Sequence, residues 1–283
     1  MMKLKSKILL GVLITGGIFL YGRAAKADEI LNEQGYMRVE KLAITYSAEG
    51  GMVQTTKYEC VEDENRITGT EYDQNGKPDG RGTDYFYDEN WKLIRRINYE
   101  NSSETSPDGG KTAESKYIYD DAGNCIRAIE NDRTGKKAEF RYKYDEDGNC
   151  VQASYMDNNG KEKVSWKSEY MSDKKGKKCR IMYFDENGEV NSYGENTYDF
   201  MGNILHSVSY DMNGDINLEY GYTYEYDKEG RIVRSVYYES GKEDSAVEYV
   251  YDDNGNCILE TQKDADGKPV QIFVYKYEKI QQE

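Results

Sequence analysis

The amino-acid sequence predicts an all-β protein built as an elongated array of about eight two-stranded β-hairpin repeats, forming a twisted, curved open sheet. Three observations predict it. A turn phrase of Asp, two polar residues and Gly recurs along the chain; the segments between turns alternate apolar with polar residues; and 28 of 283 residues are Tyr, so the buried face must be aromatic and thin.

The first element is the N terminus. Lys3, Lys5 and Lys7 precede an apolar run from Ile8 to Tyr21, followed by Ala25, Lys26 and Ala27. A basic start, a short apolar stretch and small residues at alternate positions are the parts of a secretory signal peptide. Residues 1–27 are therefore expected to be removed on export, the alternative being an uncleaved anchor. Their loss leaves 33 basic against 53 acidic residues, a formal charge of −20. Such a charge opposes binding to nucleic acid or to an anionic membrane after signal cleavage, and keeps exposed strand faces soluble.

Next comes a β cap over residues 28–57, as the open array requires a starting end, with Tyr46 to Gly50 as an eroded half-repeat. The repeat domain runs from 58 to 277. Its clear turn markers are Asp120, Asp132, Asp145, Asp157, Asp173, Asp185, Asp199, Asp211, Asp227, Glu239, Asp252 and Asp264, with weaker copies at Asp63, Asp73, Asp88 and Glu100. A constant gap of 12 alternates with a variable one of 13 to 16, so each repeat has two unequal halves. The phrase recurs because Asp bonds its own backbone two residues on while Gly accepts positive φ, together making a tight reversal. Between turns, Ala138, Phe140, Tyr142 and Tyr144 fall on one face, and Glu139, Arg141 and Lys143 on the other. Residues 101–111 read as an inserted loop and 278–283 as a tail.

At YIYDDAGNC, YKYDEDGNC, YEYDKEGRI and YVYDDNGNC the chain resembles the Rhs or YD-repeat family, and the second half of each copy is also MORN-like. The resemblance implies a secreted or surface β-repeat fold. Long members wind a sheet into a shell around a toxic C-terminal domain. Here about eight copies are too few for a chamber, and only EKIQQE follows Tyr277.

Chemistry is sparse. Cys125, Cys150 and Cys257 lie five residues after a marker Asp, where other copies place Leu93, Ile204 and Ile232, so they read as core residues with free thiols. Cys60 and Cys179 lie off that register. Equivalent positions two strands apart sit ~9.6 Å from one another, beyond disulfide reach. The acidic turns are not calcium loops, because Gly arrives one residue too early for that motif. His206 is the only His, which excludes imidazole zinc clusters, and no catalytic constellation or phosphate loop is present. No catalytic, metal or cofactor site is expected. A noncatalytic surface or secreted module binding extracellular glycan or protein fits best, with Trp91 and Trp166 as ligand-stacking candidates. An accessory part of an Rhs-type toxin system is the alternative, and a glycoside hydrolase ranks last.

Overall fold

The computed structural model describes residues 30–32, 34–47, 50–61, 64–100, 110–173 and 176–280. The expected signal segment, Asp63 and most of the 101–111 loop lie outside them. In the turn at Asp145, Gly148 N donates to the Asp145 carbonyl at 3.1 Å, and Asp145 N donates to the Asn149 carbonyl at 2.9 Å. One carboxylate oxygen of Asp145 accepts from the backbone N–H of Asp147 and Asn149, at 3.1 and 2.8 Å. Gly148 has φ +78°. This is a type I turn closed by a left-handed residue, a common hairpin connection. The same pair of backbone bonds recurs at Asp73, Asp88, Asp120, Asp132, Asp157, Asp185, Asp199, Asp211, Asp227, Asp252 and Asp264.

Three markers depart from this turn, Glu100 because its N–H donates to the Gly110 carbonyl across the longer loop. Glu239 pairs with Lys242 across Ser240 and Gly241, both at positive φ, which is a two-residue primed turn. Asp173 pairs with Gly176 across a two-residue loop. One turn lies outside the expected pattern: Asn32 accepts from the N–H of Gln34 and Tyr36 and closes on Gly35, with Asn in place of Asp.

The strands between turns are β1 (Tyr36–Ser47), β2 (Gly50–Val61), β3 (Arg66–Tyr72), β4 (Pro78–Tyr87), β5 (Leu93–Tyr99), β6 (Lys111–Tyr119), β7 (Cys125–Asp132), β8 (Lys137–Tyr144) and β9 (Cys150–Met156). They continue as β10 (Glu162–Asp173), β11 (Gly176–Phe184), β12 (Val190–Tyr198), β13 (Ile204–Asp211), β14 (Ile216–Tyr226), β15 (Ile232–Glu239), β16 (Lys242–Tyr251), β17 (Cys257–Asp264) and β18 (Pro269–Lys279). Each pairs antiparallel with its neighbours in sequence.

The ends also pair. β1 bonds β2 on one side and β18 on the other, from Tyr36 opposite Lys279 to Thr45 opposite Gln271. The expected open sheet is therefore overturned: the eighteen strands close into an up-and-down barrel. β1 and β2 are wall strands rather than a cap, since a closed sheet has no edge to protect.

Bulges supply a physical reason for closure. Ile94, Ile126, Val151, Leu205, Val233 and Ile258 are skipped in their ladders, each the second of two adjacent apolar residues after a turn. An extra residue on one strand bends it and increases its twist. Repeated at one position of successive hairpins, the bend accumulates until β18 meets β1.

The Tyr-bearing face is the inner one. Side chains converge on a concave surface, and on this face Tyr183 of β11 feels Tyr220 of β14, three strands away, while Arg38 of β1 feels Cys257 of β17. Trp166, Cys179 and Ile67 are buried there, whereas Ile94, Ile118, Ile126, Leu205 and Val250 on the other face are each more than a third exposed. A round wall of this strand number is about 27 Å across before tilt widens it. Its apolar packing forms two separate clusters. One lies around Trp166, Cys179, Ile181 and Tyr198 on β8–β13; the other surrounds Ile30, Met37 and Ile67 on β1–β4. They occupy opposite sides of the ring, so the barrel is lined rather than filled.

Candidate functional site: the inner wall

Turns alternate between two ends. Those at Asn32, Asp88, Asp120, Asp145, Asp199, Asp227 and Asp252 share one end, which carries the Tyr-x-Tyr-Asp segments and is termed the tyrosine end. Those at Asp73, Asp132, Asp157, Asp185, Asp211 and Asp264 form the far end.

At the tyrosine end the phenol hydroxyls are tied to the wall. Tyr119 donates to the Leu93 carbonyl at 2.7 Å, Tyr144 to Cys125 at 2.8 Å and Tyr251 to Ile232 at 2.8 Å. In each case an even strand caps a carbonyl at the start of the preceding odd strand, beside its bulge. Ser168 does the same for Cys150 at 2.9 Å, where β10 lacks the Tyr pair. Burial pushes these phenols well above the usual Tyr range. Further along, the inner wall turns polar, with Asn98, Glu130, Ser192, Ser207, Ser209 and Gln262 facing inward by register.

The seam carries charge. The Arg38 guanidinium is 2% exposed and lies 4.5 Å from the Tyr275 ring centroid and 5.9 Å from that of Tyr277. Lys41 sits 4.5 Å from the Phe273 ring, and Tyr275 donates to buried Glu260 at 3.2 Å.

Of the two tryptophans, Trp166 is 4% exposed and packed among Ala153, Cys179 and Ile181, so it has no ring face to offer a ligand. This corrects its expected stacking role: register places it on the inner face opposite Ala153 and Tyr183, where it fills the wall. Trp91 differs. It occupies the fourth position of the Asp88 turn, where sister turns use Gly, with φ +56° and its N–H on the Asp88 carbonyl at 3.0 Å. A bulky residue in the left-handed region costs about 1–3 kcal/mol, and such strain clusters at functional sites. Its ring, half-buried, lies 5.5 Å from that of Tyr87. The two tryptophans are not brought together, standing on β10 and on the β4–β5 turn. The absence of Gly after Asp88 is the sequence signal for this strained position.

The five cysteines are free. Cys125, Cys150 and Cys257 open odd strands, and each thiol points to the carbonyl two residues on, at 3.5, 3.6 and 3.5 Å, spanning the bulge. Burial raises the Cys179 and Cys257 thiols to about 11 and that of Cys150 to about 12. Among the described residues no three His, Cys, Asp or Glu side chains are grouped to hold a metal. His206 bonds Glu219 at 3.0 Å on the outer wall.

That outer wall is charged at mid-strand. Arg127, Lys137 and Arg141 surround Glu139, and hydrogen bonding from Arg127 leads in taking its carboxyl down to about 2. Arg95 and Lys111 hold Glu114 near 2 despite the opposing effect of its burial. Arg180 pairs Glu195 and Lys263 pairs Glu248 further round. These ion pairs stand at mid-strand on the outer wall, with exposed Ile94, Ile118, Ile126, Leu205 and Val250 nearer the tyrosine end.

No family model matches the chain, and no curated protein matches it. Among solved structures it is similar to a porin-like protein from Bacteroides uniformis, at 12% identity over 88% of this chain and 99% of that one, with a TM-score of 0.44. A porin-like protein from Bacteroides vulgatus shares 11% identity, with 84% and 98% coverage and a TM-score of 0.35. A LolA superfamily protein from Nitrosomonas europaea shares 10% identity over 91% of each chain, with a TM-score of 0.22. Likenesses this distant assign neither family nor function, and the barrel stands on its own strand pairing.

Proposed function

We propose that this is an exported, noncatalytic barrel that binds extracellular glycan at the tyrosine end of its inner wall. The observation that carries this reading is Trp91, an aromatic residue held at positive φ where sister turns use Gly. Around it, half-buried tyrosines offer apolar ring faces with fixed hydroxyls, and the wall beyond supplies amides and hydroxyls, the mixture that suits a ligand with apolar faces and many hydrogen-bonding groups. The order of basic, apolar and small residues in 1–27 supports export. Acidic net charge favours a neutral ligand over a polyanion.

Trp91→Gly is the discriminating variant. It restores the residue that the turn geometry prefers while removing a ring packed on the Ile30, Met37 and Ile67 cluster, so urea unfolding of the variant accompanies the binding measurement. Binding to neutral oligosaccharides, measured by calorimetry, is expected to weaken at least tenfold. A wild-type protein that binds no member of a neutral glycan panel, or a variant that binds unchanged, defeats the proposal.

A further inference from the structure

The inner face of β14 carries Tyr220, Tyr222, Tyr224 and Tyr226 at alternate positions, and their rings run in continuous contact. Tyr226 and Tyr224 are 6.2 Å apart, Tyr224 and Tyr222 5.9 Å, and Tyr222 and Tyr220 6.0 Å, with Tyr237 of β15 at 5.3 Å from Tyr222. The row does not stop at the wall. Phe200, at the tip of the Asp199 turn, lies 6.0 Å from Tyr226 and is 85% exposed. A continuous path of aromatic rings thus leads from the rim of the tyrosine end to the middle of the inner wall, where Tyr237 joins it.

We infer that this path is a track for a linear, neutral oligosaccharide, with Phe200 as its outermost subsite. The inference rests on the glycan-binding reading above and assigns it a second, extended site. Several features favour a sugar chain. The four β14 tyrosines are half-buried, less covered than Tyr198 and Tyr275, so part of each ring remains accessible. Tyr224 donates to the Ile204 carbonyl at 2.9 Å, and Tyr226 bonds the Asp199 carboxylate, which fixes these rings by their hydroxyls. The Asn203 side-chain oxygen and the Glu239 carboxylate border the path as acceptors for sugar hydroxyls, the Asn203 amide N–H groups being held by Asp199 and Tyr226. Among the described residues no cation pairs with Asp199 or Glu239, while nearby Arg231 and Arg234 are taken by Asp227 and Glu225, so the negative border disfavours an anionic chain. Phe200 at a turn tip is an apolar residue in water, with Met201 beside it also exposed.

Eight strands separate this track from the Trp91 turn, which lies between β4 and β5 while Phe200 lies between β12 and β13. The two sites are therefore separable by mutation. Calorimetry with neutral β-linked glucose oligomers of increasing length is the test, using wild type, Phe200→Ser, the double variant Tyr222→Leu with Tyr224→Leu, and Tyr193→Leu. Tyr193 stacks on Tyr210 at 4.9 Å on the outer face and serves as the control. Affinity is expected to rise with oligomer length in wild type. The double variant should lose at least tenfold for long oligomers. Phe200→Ser, which removes an exposed ring and leaves folding intact, should lose three- to tenfold for long oligomers and little for short ones. Tyr193→Leu should bind as wild type does. Length-dependent binding that survives both track changes overturns the track alone and leaves the Trp91 site standing. No binding by wild type overturns both, and a preference for long-chain fatty acids over sugars overturns the track as a glycan site.

Discussion

The two ends of the barrel use one turn phrase to different effect. At the far end each turn is exposed and largely self-contained: Asp157 holds the N–H groups of Asn159 and Lys161 at 2.9 Å each. At the tyrosine end the same geometry is linked outward. Asn149 adds a side-chain amide bond to Asp145 and is itself bonded by Lys177 from the next hairpin; Tyr226 reaches Asp199; and Asn32 bonds Asn256 across the seam. The difference lies in the residue after Gly. Asn149, Asn203 and Asn256, partly or fully buried beside an aromatic layer, join neighbouring hairpins, whereas Lys77, Lys136, Lys161 and Lys268 of the far end point to water. A repeated phrase fixes a local reversal, and its flanking residue decides whether reversals cooperate.

Alkali should separate the ends most strongly. Burial lifts Tyr226 at the tyrosine end and Tyr222 deeper on the same strand to about 12. A folded value above the unfolded one, near 10, means stabilisation that is complete below pH ~10 and lost as pH rises toward ~12. Hydrogen exchange across that window is expected to show the tyrosine end opening first; simultaneous loss of protection at both ends would erase the contrast.

Tyr144→Ala comes next, with an expected loss of about 3 kcal/mol from removing a packed ring. Tyr144→Phe should lose only about 1 kcal/mol, the worth of the bond to the Cys125 carbonyl. Urea unfolding of both variants checks the pair, and near-equal losses would mean that the hydroxyl, rather than the ring, joins the copies.

Gly148→Val and Gly160→Val test a property common to both ends. Their φ values are +78° and +74°, so each should lose about 1–3 kcal/mol. A cost confined to Gly148 would show that the far-end turn is dispensable.

The smallest effects are expected at the aspartates. Asp145→Ala is expected to cost about 1–2 kcal/mol and Asp157→Ala less, since Asp145 also holds Asn149 in place for Lys177 of the next hairpin, whereas Asp157 holds only backbone N–H groups of its own turn. Asp145→Asn should be milder than Gly148→Val, because an amide oxygen still accepts from the two backbone N–H groups. Both aspartates sit below the ordinary carboxylate range, Asp157 chiefly through the Lys161 N–H, and Asp145 through Asn149 working against burial. Their contribution is therefore present above the unfolded value and lost as pH falls through the folded one. Acid titration of the two Ala variants should show a weaker pH dependence than wild type; identical curves would remove the carboxylates from the account.

Much of the local architecture is legible in the residues. Asp145 to Gly148 announces a turn, and Phe140, Tyr142 and Tyr144 announce one face of a strand, because both depend on a few neighbouring residues. Asn32 escapes the pattern since Asn does the work of Asp there, and Glu239 departs from it because Ser240 and Gly241 make a shorter loop. Trp166 falls on the inner face by alternation, yet its burial depends on Cys179 and Ile181 of the paired strand β11 and on Ala153 of β9. The β14 track needs Phe200 to fall beside Tyr226, a contact across a strand pair.

The hairpin is a product of the sequence alone: turn type, strand alternation and the aromatic face come from backbone preference and side-chain period, both short-range. Closure is decided only in three dimensions. Pairing Tyr36 with Lys279 joins residues at opposite ends of the described chain, and it depends on the sum of many small bends at bulges such as Ile126 and Val151. Each bend is too slight to read alone, and the summed curvature selects a barrel over an open sheet.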